Sequence, residues 1–391
     1  MEITKTIKDN DIVRFKELLR DFRSPPYDGY NIAHEAVSRS RKEMLELILE
    51  KIPDMIYGVD FPYGLTPLMY AIMGCDLELL SVFDSYPQAY TIVNFDDDLP
   101  LHFSIKTKNF DIIKFVYSRN ESAIRCQNSA GHHPLHIAAC YGCEIDILKL
   151  LYDKYPEQNE VFDTNGNYPL HLCGKFLCDE RYKTSYYMDG SISFLAKINP
   201  NILKVPNNSG DLPIHLFATL YTTSLENSVL VEDIRNIVNM SPKTLMTKNK
   251  SGFLPIHIAS MFLDFQLVEM FFEMCPETMY VRTTKGKTVF DYLECAKLKE
   301  KCTFVTKVLM MCDHVEEEFW DFVPDPLPGI EKYLHMIYVK NKQNFHRILQ
   351  YVTKKVREDL IQKYIILHDF YASKDIHLEK EISNDIVLRS L

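Results

Sequence analysis

Apolar residues recur at helical spacing along most of the chain, in short segments separated by turns. In EIDILKLLYDKYP, the residues Ile147, Leu148, Leu151 and Tyr152 fall on one side of a helix, and a proline ends the segment. The same pattern is found in LELLSVFDSYP at 77–87, FDIIKFVYSRN at 110–120 and FQLVEMFFEMCP at 265–276. This spacing predicts a series of amphipathic helices, most of them stopped by a proline that cannot continue them.

Another pattern of eight residues occurs eight times, with glycine at its first position in seven copies. The copies are GYNIAHEA at 29–36, GLTPLMYA at 64–71, DDLPLHFS at 97–104, GHHPLHIA at 131–138, GNYPLHLC at 166–173, GDLPIHLF at 210–217, GFLPIHIA at 252–259 and GKTVFDYL at 286–293. Successive copies are 35, 33, 34, 35, 44, 42 and 34 residues apart. Since a single helix pair cannot bury its apolar face, these intervals predict units of turn, helix, loop and helix that stack on each other.

The glycine, proline and histidine of this pattern have structural explanations. Glycine suits a turn with positive φ, and proline suits the first position of a helix. Asn or Asp precedes the turn position by three residues in five copies, which is typical of tight turns. We expect the histidine to bond to the backbone of its own or the neighbouring loop. The predicted structural positions are Gly64, Pro67, Gly131, Pro134, His136, Gly166, Pro169, His171, Gly210, Pro213, His215, Gly252, Pro255 and His257.

The spacing and the Pro-Leu-His core resemble the ankyrin repeat, a unit of about 33 residues. The resemblance covers roughly residues 5–315 and implies an all-α solenoid of ankyrin-like units. It also implies binding of partner proteins through a concave face and exposed turn tips, without catalysis.

The chain departs from the family at the residue before the proline, which is usually a threonine that caps the helix. Five copies have a residue without a capping oxygen at this position, and we expect each lost cap to cost about 1 kcal/mol of stability. These residues are Leu99, His133, Tyr168, Leu212 and Leu254.

The chain is predicted to have four parts. Residues 1–28 form an N-terminal capping helix, and residues 29–315 form an array of about eight units. Residues 316–328 are a linker rich in proline and acidic residues that contains the only tryptophan. Residues 329–391 have helical periodicity and form a C-terminal region.

The two long intervals predict insertions near 178–191 and 219–233, which lie in consecutive units and form one surface patch. The first insertion is rich in tyrosine, a residue enriched in protein interfaces. Two interpretations stay open: a partner site, or loops that are only longer. The candidate contact residues in this patch are Tyr182, Tyr186 and Tyr187.

Residues beside the turn positions are the other candidates for partner contact, because turn tips are exposed in this arrangement. We predict that these residues bind a partner: Tyr63, Asn165, Tyr168, Asn208 and Phe253.

Composition excludes several functions. The net charge is −10 and the pI about 5.7, which argues against nucleic-acid binding. Residues 329–391 have a net charge of +3 and residues 1–328 a net charge of −13, so the surfaces of the two regions differ in charge. The sequence has no apolar run long enough to span a membrane, and its opening residues do not predict a secretory signal. Its ten cysteines are scattered. We expect reduced thiols and a cytoplasmic location, or a nuclear one.

No catalytic or metal chemistry is predicted. The histidines of six copies share one repeat position, which structure explains better than catalysis. Cys140, Cys143, Cys173 and Cys178 resemble a zinc spacing, but equivalent positions of neighbouring units should lie about 10 Å apart. Phosphate-binding loops, nucleophile elbows and HExxH motifs are absent from the sequence. We therefore expect neither a cofactor nor a metal.

The predicted function is that of a monomeric, non-catalytic scaffold that binds a protein partner. The alternative is an adaptor whose repeats capture a target while residues 329–391 recruit machinery such as a ubiquitin ligase. The segment DPLPGIEKYLHMI is similar to the start of an F-box helix, although the residues after it do not match. An enzyme within residues 329–391 is a third class, but that stretch lacks a convergent set of polar residues.

Overall fold

The computed structural model describes residues 2–22, 29–173, 190–219, 228–312, 315, 319, 322 and 323. Within them the chain forms α-helices and short 3₁₀ helices, and no β-strand is found in this part. The predicted all-α class is therefore confirmed. The chain divides into two compact units, residues 1–270 and 271–391.

The first unit is built from short helices that alternate with turns. Its helices are α1 Glu2–Asp9, α2 Ile12–Asp21, α3 Ile32–Ser38, α4 Lys42–Lys51, α5 Pro67–Met73, α6 Leu77–Ser81, α7 Pro100–Ile105, α8 Phe110–Arg119, α9 Pro134–Cys140, α10 Ile145–Lys154, α11 Pro169–Leu172, α12 Ser191–Ile198, α13 Pro213–Phe217, α14 Ser228–Met240 and α15 Pro255–Met261. The division between the units falls within α16, Phe265–Met274.

The first helices of successive repeats contact one another in order. α3 contacts α5, α5 contacts α7, and the series continues through α9, α11 and α13 to α15. Among the second helices, α10 contacts α12 and α12 contacts α14. Each repeat is thus covered by its neighbours, and stability adds up over the interfaces between adjacent repeats.

The repeat at the centre shows how the sequence pattern produces this packing. Pro134 begins α9, where its missing N–H costs no hydrogen bond. Leu135 and Ile137 are buried against the neighbouring helices. Leu148 and Leu151 of α10 are buried as well. Burying an aliphatic side chain of this size contributes about 1.5–3 kcal/mol.

The prolines that end the second helices have a further role. Each begins a short 3₁₀ helix that leads the chain towards the next turn. These segments are Pro53–Tyr57, Pro87–Thr91, Pro156–Glu160, Pro200–Lys204, Pro242–Met246 and Pro276–Tyr280. Val82–Ser85 and Glu121–Arg125 are 3₁₀ helices that begin without proline.

Two helices, α1 and α2, occupy the N-terminal segment for which the sequence predicts one. Asn10 adopts a positive φ of 57° between them, and the Asp11 carboxylate accepts the Arg14 N–H to cap α2. Ile7 and Phe15 are fully buried, and α1 packs against α3.

The second unit contains α17 Val289–Leu293 and α18 Leu298–Met311. The Phe272 and Phe304 rings meet edge to face at 5.8 Å. Phe319, within the predicted linker, is buried and its ring lies 5.8 Å from that of Phe290. The predicted C-terminal region, 329–391, lies outside the described residues.

Candidate functional site

Five turns of the array close around the side chain of one Asn or Asp. The Oδ1 atom of Asn128 accepts the N–H groups of Ala130 and His132, at 3.1 and 2.9 Å. Gly131, between those two donors, has a φ of 78°, which glycine adopts without strain. The same pair of bonds forms at Asn94, Asp163, Asn207 and Asn249.

Main-chain hydrogen bonds join six successive turns, from the turn at Tyr63 to the turn at Lys250. In each case an N–H of the later turn donates to a carbonyl of the earlier one. The bonds run from Phe95 to Tyr63 (3.3 Å), Ser129 to Asp96 (3.0 Å), Thr164 to Ala130 (3.1 Å), Asn208 to Asn165 (3.0 Å) and Lys250 to Ser209 (3.2 Å). The turn tips therefore form one continuous row within the first unit.

Side chains beneath the turn tips form a second set of contacts, which we call the polar ladder. In it, the Asn or Asp of one turn bonds to the side chain four residues further along in the previous turn. The pairs are Asn128 with Asp98 (2.8 Å), Asp163 with His132 (3.2 Å), Asn207 with Asn167 (2.9 Å) and Asn249 with Asp211 (2.7 Å). These pairs fix the register between neighbouring repeats.

Within the polar ladder, the carboxyl group of Asp163 has a displaced pKa. Burial alone would raise the pKa of this carboxyl. Hydrogen bonds from the His132 ring and from the backbone and side chain of Asn167 outweigh burial and lower the pKa to about 2. The carboxylate is therefore charged at all physiological pH values.

Replacing Asn249 with Asp is expected to destabilise the first unit by about 2 kcal/mol, since a hydrogen bond is lost and two carboxylates meet. In the native chain the Asn249 amide donates to Asp211 Oδ1 at 2.7 Å. Urea unfolding measures the change. The double variant Asn249→Asp/Asp211→Asn restores a donor–acceptor pair and should recover most of the stability. If the double variant is no more stable than Asn249→Asp, the two side chains are not coupled.

The repeat histidines link the start of a helix to the next repeat. The Nδ1 atom of His102 accepts the Leu99 N–H at 3.1 Å, and its Nε2–H donates to the Cys126 carbonyl at 3.0 Å. The same pair of bonds forms at His34, His171 and His215. Nδ1 of His136 and of His257 likewise accepts from the residue before the proline.

The uncapped helix starts are therefore partly compensated. At Leu99, His133, Tyr168, Leu212 and Leu254 the side chain makes no capping bond, but the histidine three residues later accepts the N–H of each of these residues. The sequence predicted that the histidines bond to loop backbone. It did not predict that they compensate for the missing N-terminal caps of the helices.

The predicted contact residues differ in exposure. Tyr63 is 67% exposed, and Asn165 is exposed as well. Asn208 is exposed, but its amide donates to the Thr164 carbonyl at 3.2 Å and so helps to join two turns. Tyr168 is half-buried beside Phe162, with their rings 5.9 Å apart.

Phe253 is also half-buried, and its carbonyl accepts the His215 Nε2–H at 3.1 Å. The tyrosine patch of the first insertion, Tyr182, Tyr186 and Tyr187, lies outside the described residues. Two exposed aromatic residues at the turn tips, Phe61 and Phe95, were not among the sequence-based candidates. They are 86% and 58% exposed, and their place three and two residues before the turn positions 64 and 97 was the available sequence signal.

The cysteines of the zinc-like spacing are buried thiols. Cys140, Cys143 and Cys173 are each at most 3% exposed. Burial raises the pKa of Cys143 to about 12 and also raises that of Cys173. Cys143 donates its S–H to the Ile105 carbonyl at 3.6 Å. Cys178 lies outside the described residues.

The described residues hold neither a candidate metal site nor a candidate membrane span. Among the residues that the structure describes, no group of three or more His, Cys, Asp or Glu side chains could hold a metal ion. No helix in the described ranges is long and apolar enough to cross a membrane.

A family model of ankyrin repeats, in three copies, matches residues 101–181. The chain contains ankyrin repeats. The predicted resemblance is thus confirmed, and the same turns and histidine bonds continue in the repeats on either side of the matched segment. None of the curated proteins matches the chain. Ankyrin repeats generally mediate protein–protein interactions, so this protein has the architecture of a binding module.

Proposed function

We propose that this ankyrin-repeat protein is a non-catalytic, monomeric scaffold that binds a protein partner through the turn tips and the adjoining concave face. The observation that supports this proposal is the continuous row of turns. Main-chain hydrogen bonds join neighbouring turns to each other. Exposed side chains such as Asn165 are therefore held on a rigid backbone. Rigid presentation lowers the entropy that is lost on binding.

The proposed contact residues span several repeats, from Tyr63 through Asn165 and Tyr168 to Asn208 and Phe253. An interface that uses them all would cover successive turns and would suit an extended partner segment. Tyrosine offers rigid contact area with a polar end, which suits such a surface. The adaptor alternative depends on residues 329–391, which lie outside the described residues, and no observation on the described residues favours it.

Site-specific photo-crosslinking tests the proposal in cells that express the full chain. A photoreactive phenylalanine analogue replaces either Asn165 or Phe253, and the control position is Lys114, which is exposed on α8. We expect one discrete crosslinked protein product from both turn positions and none from Lys114. Products from Lys114 alone, or identical products from all three positions, would contradict binding through the turn tips.

A further inference from the structure

Three aromatic side chains are exposed together at the first two turns of the row. Phe61 is 86% exposed, Tyr63 67% and Phe95 58%. The Phe95 N–H donates to the Tyr63 carbonyl at 3.3 Å, so the two turns are adjacent. We call Phe61, Tyr63 and Phe95 the aromatic tip patch. Exposed aromatic side chains grouped on adjacent turns mark an interaction site more often than single exposed residues do.

The position of Phe95 is tied to the glycine of the preceding turn. A Cβ atom on Gly64 would lie 2.6 Å from Phe95 Cδ1 and 2.7 Å from the Phe95 nitrogen. The Phe95 ring therefore rests on the Gly64 backbone while more than half of the side chain faces solvent. This contact holds the ring in place before any partner arrives.

The segment of the chain that carries the aromatic tip patch is acidic. Residues 52–105 contain eight Asp and Glu residues but no Lys or Arg. Two of these acids pair with cations from outside the segment: Asp98 with Lys106 and Asp84 with Arg119. Asp96 and Asp97 are exposed in the same turn as Phe95, and within the described residues neither pairs with a cation.

Asp97 occupies a position that favours glycine. Its φ is 58°, whereas the turns at Gly131, Gly166 and Gly210 have glycine there with φ of 77° to 79°. A non-glycine residue is disfavoured in this conformation, and glycine would remove the strain. The turn therefore does not require the exposed carboxylate of Asp97 at this position.

We propose that the aromatic tip patch, together with Asp96 and Asp97, binds an extended basic segment of a partner protein. An arginine of that segment stacks its guanidinium on an aromatic ring and pairs with an aspartate. Arginine suits both contacts better than lysine, because its charge lies on a planar group that stacks and forms paired hydrogen bonds. The inference rests on the proposed function and specifies the chemistry of its partner.

Charge complementarity selects this occupant. An acidic surface repels nucleic acid and anionic lipid headgroups, while it attracts and steers a cationic peptide. The attraction is expected to weaken as salt is added, since the aspartates are exposed and screened.

Fluorescence anisotropy with the full chain tests the proposal. The probes are three labelled peptides that alternate glycine with arginine, with lysine or with glutamate. We expect the arginine peptide to bind most tightly, the lysine peptide more weakly and the glutamate peptide not at all. Absence of binding by the arginine peptide, or equal binding of all three, overturns the inference.

Substitutions locate the bound peptide. Phe95→Ala, and separately Asp96→Asn with Asp97→Asn, should each weaken binding of the arginine peptide about fivefold. Phe162→Ala is the matched control, because Phe162 is also 58% exposed in a later turn, and it should leave binding unchanged. Equal effects of Phe95→Ala and Phe162→Ala would overturn the assignment to this patch.

Asp97→Gly separates binding from folding. This variant should raise the urea midpoint of unfolding, because glycine replaces the strained residue. It should also weaken binding of the arginine peptide. A higher midpoint with unchanged binding would show that Asp97 takes no part in recognition.

Crosslinking at Asn165 does not involve this patch. Its success with failure of the arginine peptide would refute only the patch, whereas its failure would refute the proposed function.

Discussion

Lowering the pH from 7 to 5 is expected to destabilise the folded protein strongly, because the repeat histidines are neutral in the fold. Burial lowers the pKa of His136 to about 3 and also lowers the pKa of His215. It lowers the pKa to about 4 for His34, His102 and His171. An unfolded histidine has a pKa of about 6.5, so the unfolded chain binds protons first as the pH falls.

The stabilisation is therefore complete above about pH 6.5 and is lost as the pH falls towards about 4. Each of the four histidines His34, His102, His136 and His171 should lower the free energy of unfolding by about 2 kcal/mol between pH 7 and pH 5. The combined effect is comparable with the whole stability of a typical domain, about 5–15 kcal/mol.

Urea unfolding followed by circular dichroism across this pH range measures the effect. Model carboxyl groups titrate mainly below it, at about pH 4, so histidine is the residue type that changes charge. Nitrogen NMR of the imidazole rings provides the site-specific control, since His34, His102, His171 and His215 should carry their proton on Nε2 at pH 7. An unfolding midpoint that stays constant from pH 7 to pH 5 would contradict the buried, neutral state.

Replacing Gly210 with alanine is expected to cost about 2–3 kcal/mol, from strain at a positive φ and from disruption of the turn contacts. Gly210 has a φ of 79°, and a Cβ atom there would lie 2.7 Å from the Lys250 backbone nitrogen. That nitrogen donates to the Ser209 carbonyl in the row of turns. The new methyl group must therefore push two neighbouring turns apart.

Gly286 provides the matched control. Its φ of 75° is almost the same, but a Cβ atom there would meet nothing within 4 Å. Gly286→Ala should therefore show only the strain, about 1–2 kcal/mol. Urea unfolding of both variants measures the difference. Equal losses would mean that the turns tolerate the extra methyl group and that close approach does not explain the glycine.

The repeat period, the all-α fold and the helix starts at proline could be predicted from sequence because their signals are local. Gly131 and Pro134 lie three residues apart, and each has a strong backbone preference that holds in any context. A local signal also placed the histidines in structural positions. The conformation of the glycine and the proline of one repeat does not depend on the sequence of the next repeat.

The polar ladder could not be predicted, because each of its contacts joins residues from two different repeats. Asp98 and Asn128 are 30 positions apart, and only the register of the stack brings them to 2.8 Å. The aromatic tip patch was missed for a related reason. Tyr63 and Phe95 lie in two different turns, and only the stacking of the repeats brings those turns together.

The side-chain pairs of the polar ladder also depend on the order of the repeats. Removing residues 128–162 would bring Asp98 opposite Asp163, two acids at one rung. Removing residues 163–206 would instead place His132 opposite Asn207, a pair that can still share a hydrogen bond. Deletion of one repeat is therefore expected to be tolerated at some positions of the array and not at others. Loss of a repeat during evolution is correspondingly easier at the tolerant positions.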